Sequence, residues 1–205
     1  MKALFSTLLL TTLVAQTIPL KVAEVNYPRI PCITCSDIEI IVAGEPVTSQ
    51  LQNDWEIALA TTTRAVRCRQ DSKVYYVYEY YLSLNKAANN LPSPCVESLT
   101  LKTGDVVNFF DFNGDGQRDE IYVANRAGSR ATIGIASAEM RGDEITFTFA
   151  SPICAGVNKG EGELSLPFGF VSTRPPVIDK TSFATVKNGA TYNISARVPE
   201  ISREH

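Results

Sequence analysis

Apolar residues along this chain come in short runs bounded by Gly, Pro, Asn and Asp, and within the runs they tend to alternate with polar ones. Such spacing places side chains on two opposite faces, as in a strand. Ile38 to Ala43 is one such run, ended by Gly44-Glu45-Pro46, and reads as a strand and a turn. Val74 to Leu84 is more clearly extended: Tyr75, Tyr76, Tyr78, Tyr80 and Tyr81 lie beside Val74, Val77 and Leu82, so both faces carry aromatics. Rings filling a core are the expected use, and a tyrosine platform for sugar or protein is the competing one. Asn89-Asn90-Leu91-Pro92-Ser93-Pro94 reads as a loop that Cys95 ties to the body.

Further strands are predicted at Leu99 to Leu101, at Val106 to Phe110 beyond the turn Lys102-Thr103-Gly104-Asp105, and at Glu120 to Asn125. Alternation in Thr132 to Ile135 and in Ile145 to Phe149 predicts a hairpin with Arg141-Gly142-Asp143 at its tip. Asn188-Gly189, between Phe183 to Lys187 and Ala190 to Val198, is a type I′ hairpin signal. The stretch Ser49 to Arg67 carries two patterns. Leu51, Trp55, Ala58, Leu59, Thr62 and Val66 share a helical face, while Trp55, Ile57 and Leu59 alternate with their neighbours as in a strand. A helix over about 49–64 is the expectation. The whole predicts a mainly β fold, an antiparallel sandwich or barrel-like domain with that one helix.

The N-terminus changes the compartment. Lys2 precedes the apolar stretch Ala3 to Ala15, which ends on a small residue and is too short to span a bilayer, so residues 1–15 are read as a signal peptide. Residues 16–205 are then expected to form a single secreted β-rich domain, periplasmic or extracellular, with no integral membrane segment. Among the 205 residues, 19 Lys and Arg against 22 Asp and Glu give a formal charge of -3, so no strong field recruits nucleic acid. The single histidine, His205, closes the chain. Hydrolases and zinc sites that need an imidazole held by packed structure are therefore disfavoured.

Export gives the cysteines a meaning, because Cys32, Cys35, Cys68, Cys95 and Cys154 would meet an oxidising environment. Two disulfides and one free thiol are expected, and sequence selects no pairing. Cys32-Ile33-Thr34-Cys35 has the spacing of a redox pair, yet Pro28 and Pro31 precede it and the β-like Ile38 to Val42 follows where a redox helix would begin. A structural role is expected instead.

The stretch of greatest chemical interest is Asp111-Phe112-Asn113-Gly114-Asp115-Gly116-Gln117-Arg118-Asp119. Oxygen side chains at loop positions 1, 3, 5 and 9 with glycine at 6 suit a hard cation, calcium better than magnesium. Asp111, Asn113, Asp115 and Asp119 would supply side-chain oxygens, Gln117 a backbone carbonyl, and Gly116 the sharp bend. Position 12 is Tyr122 where an EF-hand has a bidentate glutamate, so a helix-loop-helix is not expected. An Asp/Asn/Gly turn without metal is the bland alternative.

Residues 107–124, from Val107 through this loop to Asp119-Glu120-Ile121-Tyr122-Val123-Ala124, resemble the FG-GAP and VCBS repeat families. In those families a DxDxDGxxD loop leads directly into an apolar strand, in extracellular β-propeller or adhesive contexts. The resemblance implies calcium ligation by Asp111, Asn113, Asp115 and Asp119, with Asn113 replacing the commoner aspartate. A propeller needs several repeats, and only Asp37 to Ala43 repeats the strand half, so the resemblance implies one calcium-binding strand-loop-strand unit.

Two smaller motifs follow. Arg141-Gly142-Asp143 is ordinary turn chemistry that also spells an adhesion triplet, and Asn193-Ile194-Ser195 is a glycosylation acceptor in a eukaryotic host. The function expected is an exported calcium-binding module for binding or adhesion, presenting loops to a protein or glycan ligand at a surface, with calcium structural. The alternatives are a carboxylate-dependent secreted hydrolase using Glu56, Glu79, Glu161 or Glu163, with the Gly156 to Gly162 loops lining a pocket, and a structural subunit of a surface appendage.

Overall fold

β-branched and aromatic residues fit a pleated, half-buried surface, and this chain uses them to build strands throughout its described length. A computed structural model describes residues 15–26, 38–43, 47–50, 58–68, 73–87, 94–104, 106, 110–125, 129–158 and 160–201. Its strands are β1 (Thr17–Leu20), β2 (Val22–Asn26), β3 (Ile38–Ala43), β4 (Val47–Gln50), β5 (Ala58–Cys68), β6 (Val74–Ser83) and β7 (Cys95–Lys102). They continue as β8 (Ile121–Asn125), β9 (Ile135–Arg141), β10 (Glu144–Cys154), β11 (Phe168–Ser172), β12 (Pro176–Val186) and β13 (Thr191–Pro199). No helix occurs among the described residues, and none is therefore long and apolar enough to cross a membrane.

The strands form two sheets that face each other as a sandwich. A six-stranded sheet has the order β1-β9-β10-β7-β12-β13, and a seven-stranded sheet runs β2-β8-β11-β6-β5-β3, with β4 also on β5. Pairing is antiparallel except for β2 beside β8. Neither sheet closes into a barrel. Strand alternation fills the space between them: Tyr78, Tyr80 and Leu82 of β6 and Phe168 and Phe170 of β11 meet Leu99, Leu101, Ile145 and Phe147 of the opposite sheet. Phe147 and Phe168 lie 5.0 Å apart by ring centroid. The buried phenols are satisfied by donating to backbone, Tyr78 to the Arg174 carbonyl and Tyr80 to the Arg197 carbonyl, both at 2.9 Å. Burial pushes both phenols well above the usual tyrosine range.

The other face of the seven-stranded sheet carries a second, smaller core. Residues of β8 divide between the two: Ile121 and Val123 join the main core, while Tyr122 and Ala124 join Ala23, Val25, Tyr75, Phe110, Phe112 and Val171 outside it. The tyrosine-rich strand therefore does place aromatics on both faces: Tyr75, Tyr78 and Tyr80 are core, Tyr76 packs against the main core, and Tyr81 is half-buried outside both.

Several expectations are corrected. The helix over about 49–64 is absent from the described part of that range: 49–50 belong to β4 and 58–64 to β5, while 51–57, with Trp55, lie outside the described residues. Pairing with β6 from Ala58↔Ser83 to Arg67↔Val74 overrides the helical face, and the β-branched run Thr61 to Thr63 suits the extended form. Of the expected strand from Val106 to Phe110, Val106 is not in a strand and Phe110 makes one isolated bridge, to Asp119, while 107–109 lie outside the described residues. The first arm of the Arg141-Gly142-Asp143 hairpin begins at Ile135, where the expected arm ended.

Cys95 and Cys154 are register partners on β7 and β10 and form a disulfide, with Cα atoms 4.0 Å apart. Cys68 ends β5 opposite Ile38. The expectations for residues 1–14, Cys32 and Cys35 fall outside the described residues.

Candidate metal centre

The loop from Asp111 to Asp119 is held at its base by backbone and at its flank by aromatics. The Asp119 N–H donates to the Phe110 carbonyl at 2.6 Å, and the Phe112 N–H donates to Asp119 Oδ2 at 3.0 Å. Phe110 and Phe112 stack at 5.9 Å and continue to Tyr75 and Tyr122 at 5.4 and 5.2 Å, which fixes the loop on the second core. Tyr122, in the place of the EF-hand glutamate, is a fully buried core residue.

Within the loop the polar side chains turn inward on the backbone. Asp111 Oδ1 accepts from Gly114 and Asp115 N–H at 2.7 and 3.0 Å, and its Oδ2 accepts from Gly116 N–H at 2.7 Å. Asn113 Oδ1 accepts from Asp115 N–H at 3.0 Å, and Asp115 Oδ1 from Gln117 N–H at 2.8 Å. Gly114 and Gly116 make this curl with φ of 81° and 84°, which a residue with a Cβ adopts at a cost. The Gln117 N–H and the Asn113 amide, with the Lys21 cation nearby, hold the Asp115 carboxyl below the usual carboxylate range.

Asp119 differs from the other acids. It is 0% exposed, and its Oδ1 has no hydrogen bond. The charge facing that oxygen is the Lys21 ammonium at 3.1 Å, which also lies 3.2 Å from Gln117 Oε1 and 3.9 Å from Asp115 Oδ2. Among the described residues no three His, Cys, Asp or Glu side chains converge as a finished coordination group. The donor set is nonetheless all oxygen, and a carboxylate oxygen accepts more than one partner, so the buried Asp119 carboxylate, its Oδ1 balanced by the Lys21 ammonium, fits a hard cation as well. The chain matches no protein-family model, no curated protein and no solved structure.

Sequence reasoning did not find Lys21 or Glu120 as parts of this site. The Lys21 N–H donates to Glu120 Oε2 at 2.7 Å, and the Lys21 carbonyl accepts from the N–H groups of Glu120 and Ile121. Lys21 is 96 residues from Gln117, so no local pattern signals the contact.

The remaining candidates are dispersed. Glu161 caps its own turn by accepting from Asn158, and Glu163 accepts from the Cys154 N–H at 2.7 Å. A Cβ on Gly162 would stand 2.0 Å from the Leu84 carbonyl oxygen, so this glycine serves close packing. Glu79 lies on β6 opposite Thr62 and Gly169, and Glu56 is outside the described residues. Arg141, Gly142 and Asp143 are exposed at the β9–β10 turn, and Asn193 is exposed on β13. A groove of about 840 Å³ opens elsewhere, lined in part by Arg174, Val177, Ile178, Asp179 and Ile201, of which Ile178 is 51% exposed.

Proposed function

We propose that the chain is an exported β-sandwich module that binds a protein or glycan partner at a surface, with a structural calcium ion in the loop 111–119. Asp111, Asn113, Asp115 and Asp119 would hold the ion through side-chain oxygens and Gln117 through its carbonyl. The observation that carries the calcium reading is the buried Asp119 carboxylate, whose Oδ1 already faces a cation, the Lys21 ammonium at 3.1 Å, beside a loop of oxygen donors. Calcium would neutralise the clustered acids and fix the loop against the second core.

The binding role is favoured over hydrolysis because two of the four candidate carboxylates are engaged by backbone N–H groups, Glu161 by that of Asn158 and Glu163 by that of Cys154. The apolar exposure of Val177, Ile178 and Ile201 beside Arg174 offers a face for a partner. Export is supported by the Lys2 to Ala15 pattern and by the Cys95–Cys154 disulfide.

Thermal melts in millimolar calcium and in chelator test the metal. Binding at roughly 0.1 to 1 mM stabilises by about 0.5 to 1.5 kcal/mol at millimolar calcium, or about 1 to 6 °C for a domain of this size. Asp119→Asn abolishes the difference. Superimposable native melts in the two buffers refute the calcium site. A glycan array and a hydrolase panel, run on the same preparation, separate the binding role from the enzymatic one.

A further inference from the structure

Lys21 is the single residue between β1, in the six-stranded sheet, and β2, in the seven-stranded sheet. Its main chain is fixed: the N–H donates to Glu120 Oε2 at 2.7 Å, and the carbonyl accepts from Glu120 and Ile121 N–H at 3.2 and 3.0 Å. From that anchored origin the ammonium reaches Asp119 Oδ1 at 3.1 Å, Gln117 Oε1 at 3.2 Å and Asp115 Oδ2 at 3.9 Å. Asp119 and Asp115 are loop positions 9 and 5, whose side-chain oxygens serve the cation in loops of this type, while Gln117 is position 7, whose ligand is the main-chain carbonyl and not the Oε1 that meets Lys21. Asp119 is fully buried, so its charge needs a counter-ion, and the ammonium supplies one.

A divalent cation drawn to Asp119 Oδ1 would repel the ammonium already 3.1 Å from that oxygen. The lysine stem, with the side chain 38% exposed, has an outlet to solvent. We infer that Lys21 is a tethered counter-cation of this loop, whose ammonium a divalent ion must displace, so that Lys21 sets the metal affinity and couples occupancy to the β1–β2 crossover. This rests on the calcium reading above and adds to it a competitor built into the chain. The competitor keeps Asp119 compensated without metal and weakens calcium binding.

Two measurements on the full chain test it. Calcium titration calorimetry compares the native protein with Lys21→Met, which keeps the aliphatic stem and removes the charge. Acylation of Lys21 by an amine-reactive ester, followed by mass spectrometry, reports whether its ammonium is released in calcium relative to chelator. The expected results are about tenfold tighter calcium binding by Lys21→Met and severalfold faster acylation of native Lys21 in calcium. A native protein that binds calcium, with Lys21→Met no tighter and Lys21 reactivity unchanged, overturns the inference and leaves the calcium site standing. Absence of binding to both proteins overturns the calcium reading and the inference together. If Lys21→Met does not fold, the acylation result on the native protein decides.

Discussion

The Tyr122 hydroxyl donates to the Tyr78 carbonyl at 3.0 Å, reaching from β8 to β6 over the intervening strand β11. The bond is open because Gly169 lies between them, as register partner of both Tyr122 and Glu79. A Cβ at position 169 would stand 1.8 Å from the Tyr78 oxygen and 2.8 Å from the Tyr122 hydroxyl. Gly169→Ala must therefore push the central strands apart, and a loss of about 3 kcal/mol in urea unfolding is expected. Tyr122→Phe removes only the hydroxyl and is expected to cost about 1 kcal/mol. Equal stability of Gly169→Ala and the native protein would contradict this account of the sheet.

Phe112 tests whether the second core holds the acidic loop. Its ring is 3% exposed and lies against Phe110 and Tyr122, while its N–H binds the Asp119 carboxylate. Phe112→Ala is expected to destabilise by about 3 to 5 kcal/mol in chelator, the range for an emptied aromatic site. It should also expose the loop to protease below the melting temperature. A loss under about 1 kcal/mol would mean that the loop rests on its hydrogen bonds alone.

The Cys95–Cys154 bond joins residues 59 apart across β7 and β10. Closing a loop of that length removes about 4 kcal/mol of unfolded-state entropy in the chain model, with measured effects commonly about 2 to 4 kcal/mol. A Cys95→Ser/Cys154→Ser variant is expected to lose that much in chemical denaturation. The two-site variant isolates this pair, whereas a reductant would also act on any disulfide formed among Cys32, Cys35 and Cys68. Unchanged stability would show that β7–β10 pairing suffices.

Legibility in the sequence followed the length of the local signal. Ile38 to Ala43, the tyrosine strand and the Asn188-Gly189 hairpin were readable because each holds its own alternation or turn residues. Phe168 to Ser172 was missed, since every residue of β11 is buried and a glycine interrupts it, leaving no polar face to alternate with. The 58–64 segment misled because Ala58, Leu59, Thr62 and Val66 satisfy a helical spacing, and only the long pairing with β6 decides for strand. At the candidate site, Asp111 to Asp119 declared itself through local spacing. Lys21 did not, because a distant strand crossover brings it there.

Asp179 gives a pH dependence whose sign is fixed by its surroundings. At the β12 bulge its carboxylate accepts from the N–H and hydroxyl of Thr181 and of Ser182, at 2.7 to 3.1 Å. Partial burial pushes the carboxyl up, and these four bonds pull it down further, so it titrates below its ordinary value when folded. A depressed folded pKa means that the bonds stabilise above the unfolded value, about 3.9, and that this contribution is lost as pH falls through the folded pKa. The native protein is therefore expected to exceed Asp179→Asn in stability at pH 6, and the gap should narrow on acidification below about pH 4. Urea midpoints of both proteins across that range check it, and a gap that widens toward acid would reverse the assignment.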